Sequence, residues 1–122
     1  DPVFDYYTPI IIANNDFLAE HPDTAKAFLS AVAQGYEYAI ENPEEAAQIL
    51  IEGDTTGALA GLEDLIVESQ KWMADQYKAE VDQWGYIDPA RWNAFYNWLS
   101  DNGLVDMAIP EDTGFSNDYL AP

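Results

Sequence analysis

Cysteine is absent from this 122-residue chain, so disulfides, thiolate chemistry and cysteine-bound zinc are excluded. Basic residues are nearly absent too, at 4 Lys and Arg against 23 Asp and Glu, for a formal net charge of -19. A chain so acidic repels phosphate backbones and anionic membrane surfaces, which argues against a nucleic-acid partner. The simplest role of the acidity is solvation, as in secreted or salt-adapted proteins. No run is long and apolar enough to cross a bilayer. The opening residues DPVFDYY carry no signal-peptide pattern. If the protein is exported, its targeting segment is expected upstream.

What is present points to an ordered core. Hydrophobic residues make up 48% of the chain, including four tryptophans, which argues against disorder. After DYYTP, the β-branched run Ile10, Ile11 and Ile12 predicts a strand over Tyr7–Ala13, ended by Asn14, Asn15 and Asp16. Pro9 restricts that strand to a start or an edge. A lone strand needs sheet partners, and the rest of the chain reads as about four helices.

Pro22 opens the first predicted helix, with His21 or Asp23 at its start. Ala25, Phe28, Leu29, Val32, Ala33, Tyr36 and Ile40 recur at helical spacing and predict one buried face. Gly35 inside it costs roughly 1 kcal/mol relative to alanine, which predicts close packing there. Asn42 caps a second helix, with Pro43 in its first turn and Ala46, Ala47, Leu50 and Ile51 inward. The small, polar stretch GDTTGALAG is a loop. A third helix runs from Leu62 to about Tyr77, with Leu65, Ile66, Ser69, Trp72 and Met73 on one side. A fourth opens at Asp88-Pro89, carries Trp92, Phe95, Tyr96 and Leu99, and stops at Gly103. The tail to Pro122 is expected to lie over the body.

Catalytic signals are missing. The sole histidine, His21, stands before a proline without the partner that a general base needs. There is no nucleophile elbow, phosphate loop or calcium-loop spacing. The helix aromatics are chiefly core packing, and some could line a pocket for a planar ligand. Tyr6, Tyr7 and Thr8, in a non-helical entry segment, are the candidate ligand-binding residues. Catalytic residues, a metal site and a cofactor are not expected.

YYTPIIIANNDFLAEHPDTAKAFLSAVAQGYEYAIENPEEAAQIL resembles bacterial substrate-binding proteins of ABC importers, of the thiamine-pyrimidine-precursor type grouped with nitrate, sulfonate and taurine binders. SQKWMADQY, WGYIDPARWNAFYNWLSDNGL and GFSNDYL extend the resemblance in order toward the carboxyl-terminal end. Its most specific parts are the GYEYAIENPEEAA block and the block that runs from WGYID through Arg91-Trp92, Phe95 and Trp98-Leu99 to Gly103-Leu104.

The resemblance implies that residues 1–122 are one carboxyl-terminal segment of a two-lobed α/β fold, the type II periplasmic-binding-protein fold. Tyr7–Ala13 would be the crossover strand, with its partners upstream. It further implies a non-enzymatic solute-binding subunit, in the periplasm or, as a lipoprotein, on the outer face of a Gram-positive membrane. Such a subunit would clamp a small aromatic or heteroaromatic nutrient such as a pyrimidine, with riboflavin, sulfonates and nitrate as alternatives, and deliver it to the permease. Related fungal pyrimidine synthases carry a cysteine-rich motif, which this sequence lacks. The rival reading is a free-standing acidic helical interaction module. On its own, the chain is expected to form a homo-oligomer through Tyr7–Ala13, because unpaired apolar strands recruit one another.

Overall fold

The computed structural model describes residues 5–121; residues 1–4 and Pro122 lie outside that description. The described chain is mainly helical, with five helices and no strand. These are α1 (Asn15–Glu20), α2 (Pro22–Glu41), α3 (Pro43–Glu52), α4 (Glu63–Ala74) and α5 (Pro89–Asp101).

Two expectations are corrected at the front of the chain. Tyr7–Ala13 is not a strand: a strand exists only through its ladder, and no described segment pairs with this one. The three isoleucines are exposed, Ile12 by 83%. Asn14 begins a helix instead of only closing a strand. Its side-chain oxygen accepts from the Asp16 and Phe17 N–H groups at 2.7 and 3.2 Å, satisfying donors that a helix start leaves unpaired. His21 ends α1, its N–H donating to the Phe17 carbonyl, and Pro22 starts α2 immediately.

The chain divides into two compact units. One comprises residues 27–85, carrying most of α2 with α3 and α4. Here α3 and α4 pack together, and the buried residues are alanines, Ala47 and Ala74. Lys71 of α4 ties the pair by donating to Glu44 of α3 at 2.7 Å and to Glu68 at 3.0 Å. Those bonds lower the Glu44 pKa and raise that of Lys71. On α2, Tyr36 stacks on Trp84 at 4.5 Å and meets Tyr77 edge-on at 4.8 Å, beside a Glu37–Lys78 ion pair.

Several side chains expected inside this unit are outside. Phe28 and Leu50 are more than half exposed, as are Leu65 and Trp72 of α4. Gly35, expected at a close approach, has open space around it. The loop between α3 and α4 is held by Asp54. Its carboxylate accepts from the Thr56 hydroxyl and from the Leu59, Thr56 and Gly57 N–H groups, and these bonds hold its pKa down at about 2.

The other unit comprises residues 5–26 and 86–121 among those described. Its α5 has both ends defined by sequence. Asp88 caps it by accepting from the Ala90 N–H at 2.9 Å, with Pro89 in the first turn. Gly103, at φ +64°, closes it. Gly103 and Leu104 donate to the Ser100 and Leu99 carbonyls, the paired bonds of a Schellman motif.

The tail is fastened to this unit by two reciprocal amide pairs. Asn93 donates to the Asp112 side chain and accepts from its N–H, both at 2.9 Å. Asn117 accepts from the Ile87 N–H and donates to its carbonyl.

Candidate ligand-binding cleft

The α5 helix builds the floor of the site. Arg91, Trp92, Phe95 and Tyr96 lie at i, i+1, i+4 and i+5, which places them along one helix face. Trp92 is the anchor. It is buried, and its indole N–H donates to the Thr113 carbonyl at 2.9 Å. Its ring meets those of Tyr96 at 5.0 Å and Phe115 at 5.3 Å. Gly114, at φ +90°, carries the tail past that indole; a Cβ there would stand 3.6 Å from it and on strained backbone.

The non-helical entry segment forms the opposite wall. Tyr6 and Tyr7 join Trp92, Phe95 and Tyr96 around a small, open, aromatic cleft. Tyr7 is held at several points. Its hydroxyl oxygen accepts from the Asp88 N–H at 2.9 Å, its ring lies beside Trp92, and the Arg91 guanidinium stands 4.4 Å from its centroid. Arg91 also pairs with Asp5. Tyr6 stacks on Phe95 at 4.8 Å and 26°, yet remains 44% exposed. Thr8 is exposed and does not line the cleft; the peptide between it and Pro9 is cis.

The structure thus brings two of the three sequence candidates together and leaves the third aside. It adds Trp92, Phe95 and Tyr96, which helical spacing read chiefly as core. Arg91 stands in the RW step of the family-like block and is the sole arginine of the sequence, but neither fact marks it as a site residue. Chemically, the cleft offers ring faces and few polar groups, an arrangement suited to stacking a flat ligand. Among the described residues no cluster of three or more His, Asp or Glu could hold a metal ion. No described helix is long and apolar enough to cross a membrane.

The family model described as NMT1/THI5 like matches residues 1–46, the part of the chain that supplies Tyr6 and Tyr7. The resemblance read from the sequence is therefore to this family, and the match fits a portion of such a protein. A curated relative extends the likeness along the rest of the chain: the formylaminopyrimidine-binding protein of Halalkalibacterium halodurans. It is 22% identical over 113 residues, which are 93% of this chain and 34% of that protein. This chain spans about a third of the relative's length.

Proposed function

We propose that this chain is part of an extracytoplasmic solute-binding subunit of an ABC importer, and that the solute is a small heteroaromatic molecule of the formylaminopyrimidine kind. The observation that carries the reading is Tyr6, a tyrosine stacked on Phe95 on one side and 44% exposed beside an aromatic cleft. The similarity to a formylaminopyrimidine-binding protein supplies the class of ligand.

The mechanism is enclosure without chemistry. The ligand stacks beside Tyr6, a second lobe closes over it, and the closed form docks on the permease. Closure is a shift between two pre-existing states, driven by tighter binding to the closed one. The cleft is shallow, whereas small-molecule sites usually bury most of their ligand. This wall alone is expected to bind weakly. Thr8 is retained as a hinge-side residue of the site rather than a wall of the cleft.

Calorimetric titration of the natural full-length protein with a formylaminopyrimidine, a flavin and an alkyl sulfonate tests the reading. Saturable binding of the pyrimidine in preference to the other two is the expected result. Binding of the sulfonate with the pyrimidine inert would overturn it. Binding of none of the three, together with capture of an amphipathic peptide by the exposed face of α4, would favour the helical interaction module instead.

A further inference from the structure

The contacts around Tyr7 divide the entry segment into a ring that is held and a ring that is offered. We infer that Arg91 is a positioning residue: by clamping Tyr7 and pairing with Asp5, it fixes the entry segment on α5 and so sets Tyr6 against Phe95 as the ring that meets the ligand. This rests on the solute-binding reading above for the identity of the ligand, but not for the geometry.

Four observations converge on the clamp. First, Arg91 stands in the first turn of α5, one residue before the buried anchor Trp92. Its backbone is therefore fixed by the cap at Asp88 and by the packing of its neighbour. Second, its guanidinium meets the Tyr7 ring at 4.4 Å, within the range where a cation is attracted by the ring's negative face. Third, the same guanidinium pairs with Asp5, two residues before Tyr7. Both grips fall on the same short segment. Fourth, the Tyr7 hydroxyl accepts from the Asp88 N–H at the helix start, fixing the far end of the ring.

Tyr6 sits between the two gripped residues, Asp5 and Tyr7. Its position on Phe95 follows from theirs. Among the described residues, Tyr6 itself is held by ring stacking on Phe95. In a chain with 23 acidic residues, many carboxylates compete for few cations. A planar, permanently charged guanidinium can serve a carboxylate at its edge and a ring at its face, which a lysine ammonium does less well. The residues that contact the ligand and those that set the contact are thus separable: Tyr6 and Phe95 belong to the first group, and Asp5, Tyr7 and Arg91 to the second.

The test uses the 122-residue chain and, on the proposed reading, the full-length protein to which it belongs. In the chain, proton NMR follows the Tyr6 ring signals, which Phe95 shifts by its ring current. In Arg91→Gln and Asp5→Asn, those signals are expected to move toward the positions of an unstructured tyrosine. Helical circular dichroism and the Trp92 indole N–H signal should stay in place. Arg91→Lys, which keeps the charge, is expected to restore part of the shift. In the full-length protein, Arg91→Gln is expected to weaken formylaminopyrimidine binding about fivefold, the scale of one partly solvated cation–ring contact. Tyr6 signals unchanged in both Arg91→Gln and Asp5→Asn would overturn the clamp. So would their loss only together with the Trp92 signal, which would make Arg91 a stabiliser of the whole unit. If the wild-type full-length protein does not bind the pyrimidine, the ligand reading falls, and the Tyr6 signals alone decide the clamp.

Discussion

Tyr6 and Tyr7 are chemically identical neighbours with opposite parts. Tyr7 spends its hydroxyl on the Asp88 N–H and its ring on Arg91 and Trp92, whereas Tyr6 keeps an exposed ring. Trp92 is the residue on which the unit depends most, through its buried ring and its bond to the Thr113 carbonyl. Trp92→Ala is expected to cost about 3 to 5 kcal/mol. Hydrogen exchange would show it as faster exchange at the Ile87 and Asp112 amides, which the tail bonds protect, with little change at Leu59 in the other unit. Asp54 gives a prediction in pH. Its pKa is depressed in the folded chain, so its hold on the loop is fully present above the ordinary carboxylate range. That hold is lost as pH falls from there through about 2. NMR titration should place the Asp54 midpoint near 2, with the Thr56 and Leu59 amides losing protection over the same window. Asp54→Asn should leave those amides less protected at neutral pH.

At the scale of elements, the helices that announce themselves in sequence are those with caps written in residues that have one main use. Asp88-Pro89 and Gly103 bracket α5 closely, and Asn42-Pro43 marks the start of α3. Even so, the Asn42 side chain donates to the Tyr38 carbonyl instead of capping α3. The short α1 was hidden, because Asn14 terminates a strand and starts a helix equally well. Tyr7–Ala13 has the composition of a strand without being one, because β-branching favours a strand but does not supply a ladder. Periodicity found the helix faces but not their cover, so Leu65 and Trp72 recur at core spacing and are each 65% exposed. For the site, Tyr6 and Tyr7 were legible as loop aromatics before a strand-like run. Arg91 was not, because its function lies in contacts with residues more than 80 positions away. The α3–α4 pair yields a further expectation. Lys71→Ala should remove the tie to Glu44 with little loss of stability, since the pair is largely solvent-exposed. The Glu44 titration should return toward the usual glutamate range.

At the scale of the whole molecule, a net charge of -19 is set against broad exposed apolar surface, with Ile10, Ile11, Ile12, Leu65, Trp72 and Met107 all about half exposed or more. Burying an isoleucine or leucine contributes about 1.5 to 3 kcal/mol, and salt screens the opposing repulsion. The isolated chain is therefore expected to associate, more strongly at high salt than at low. Sedimentation in the two buffers checks this, and a chain that stays monomeric in both at high concentration would contradict it. The central claim is that the open ring of Tyr6 receives a heteroaromatic solute. It is tested most directly by titrating a formylaminopyrimidine into the natural full-length protein and its Tyr6→Ala variant. The account predicts saturable binding by the wild type and an affinity about three- to tenfold lower in the variant, the worth of one aromatic stacking contact. Equal affinities in a variant that folds normally would contradict it.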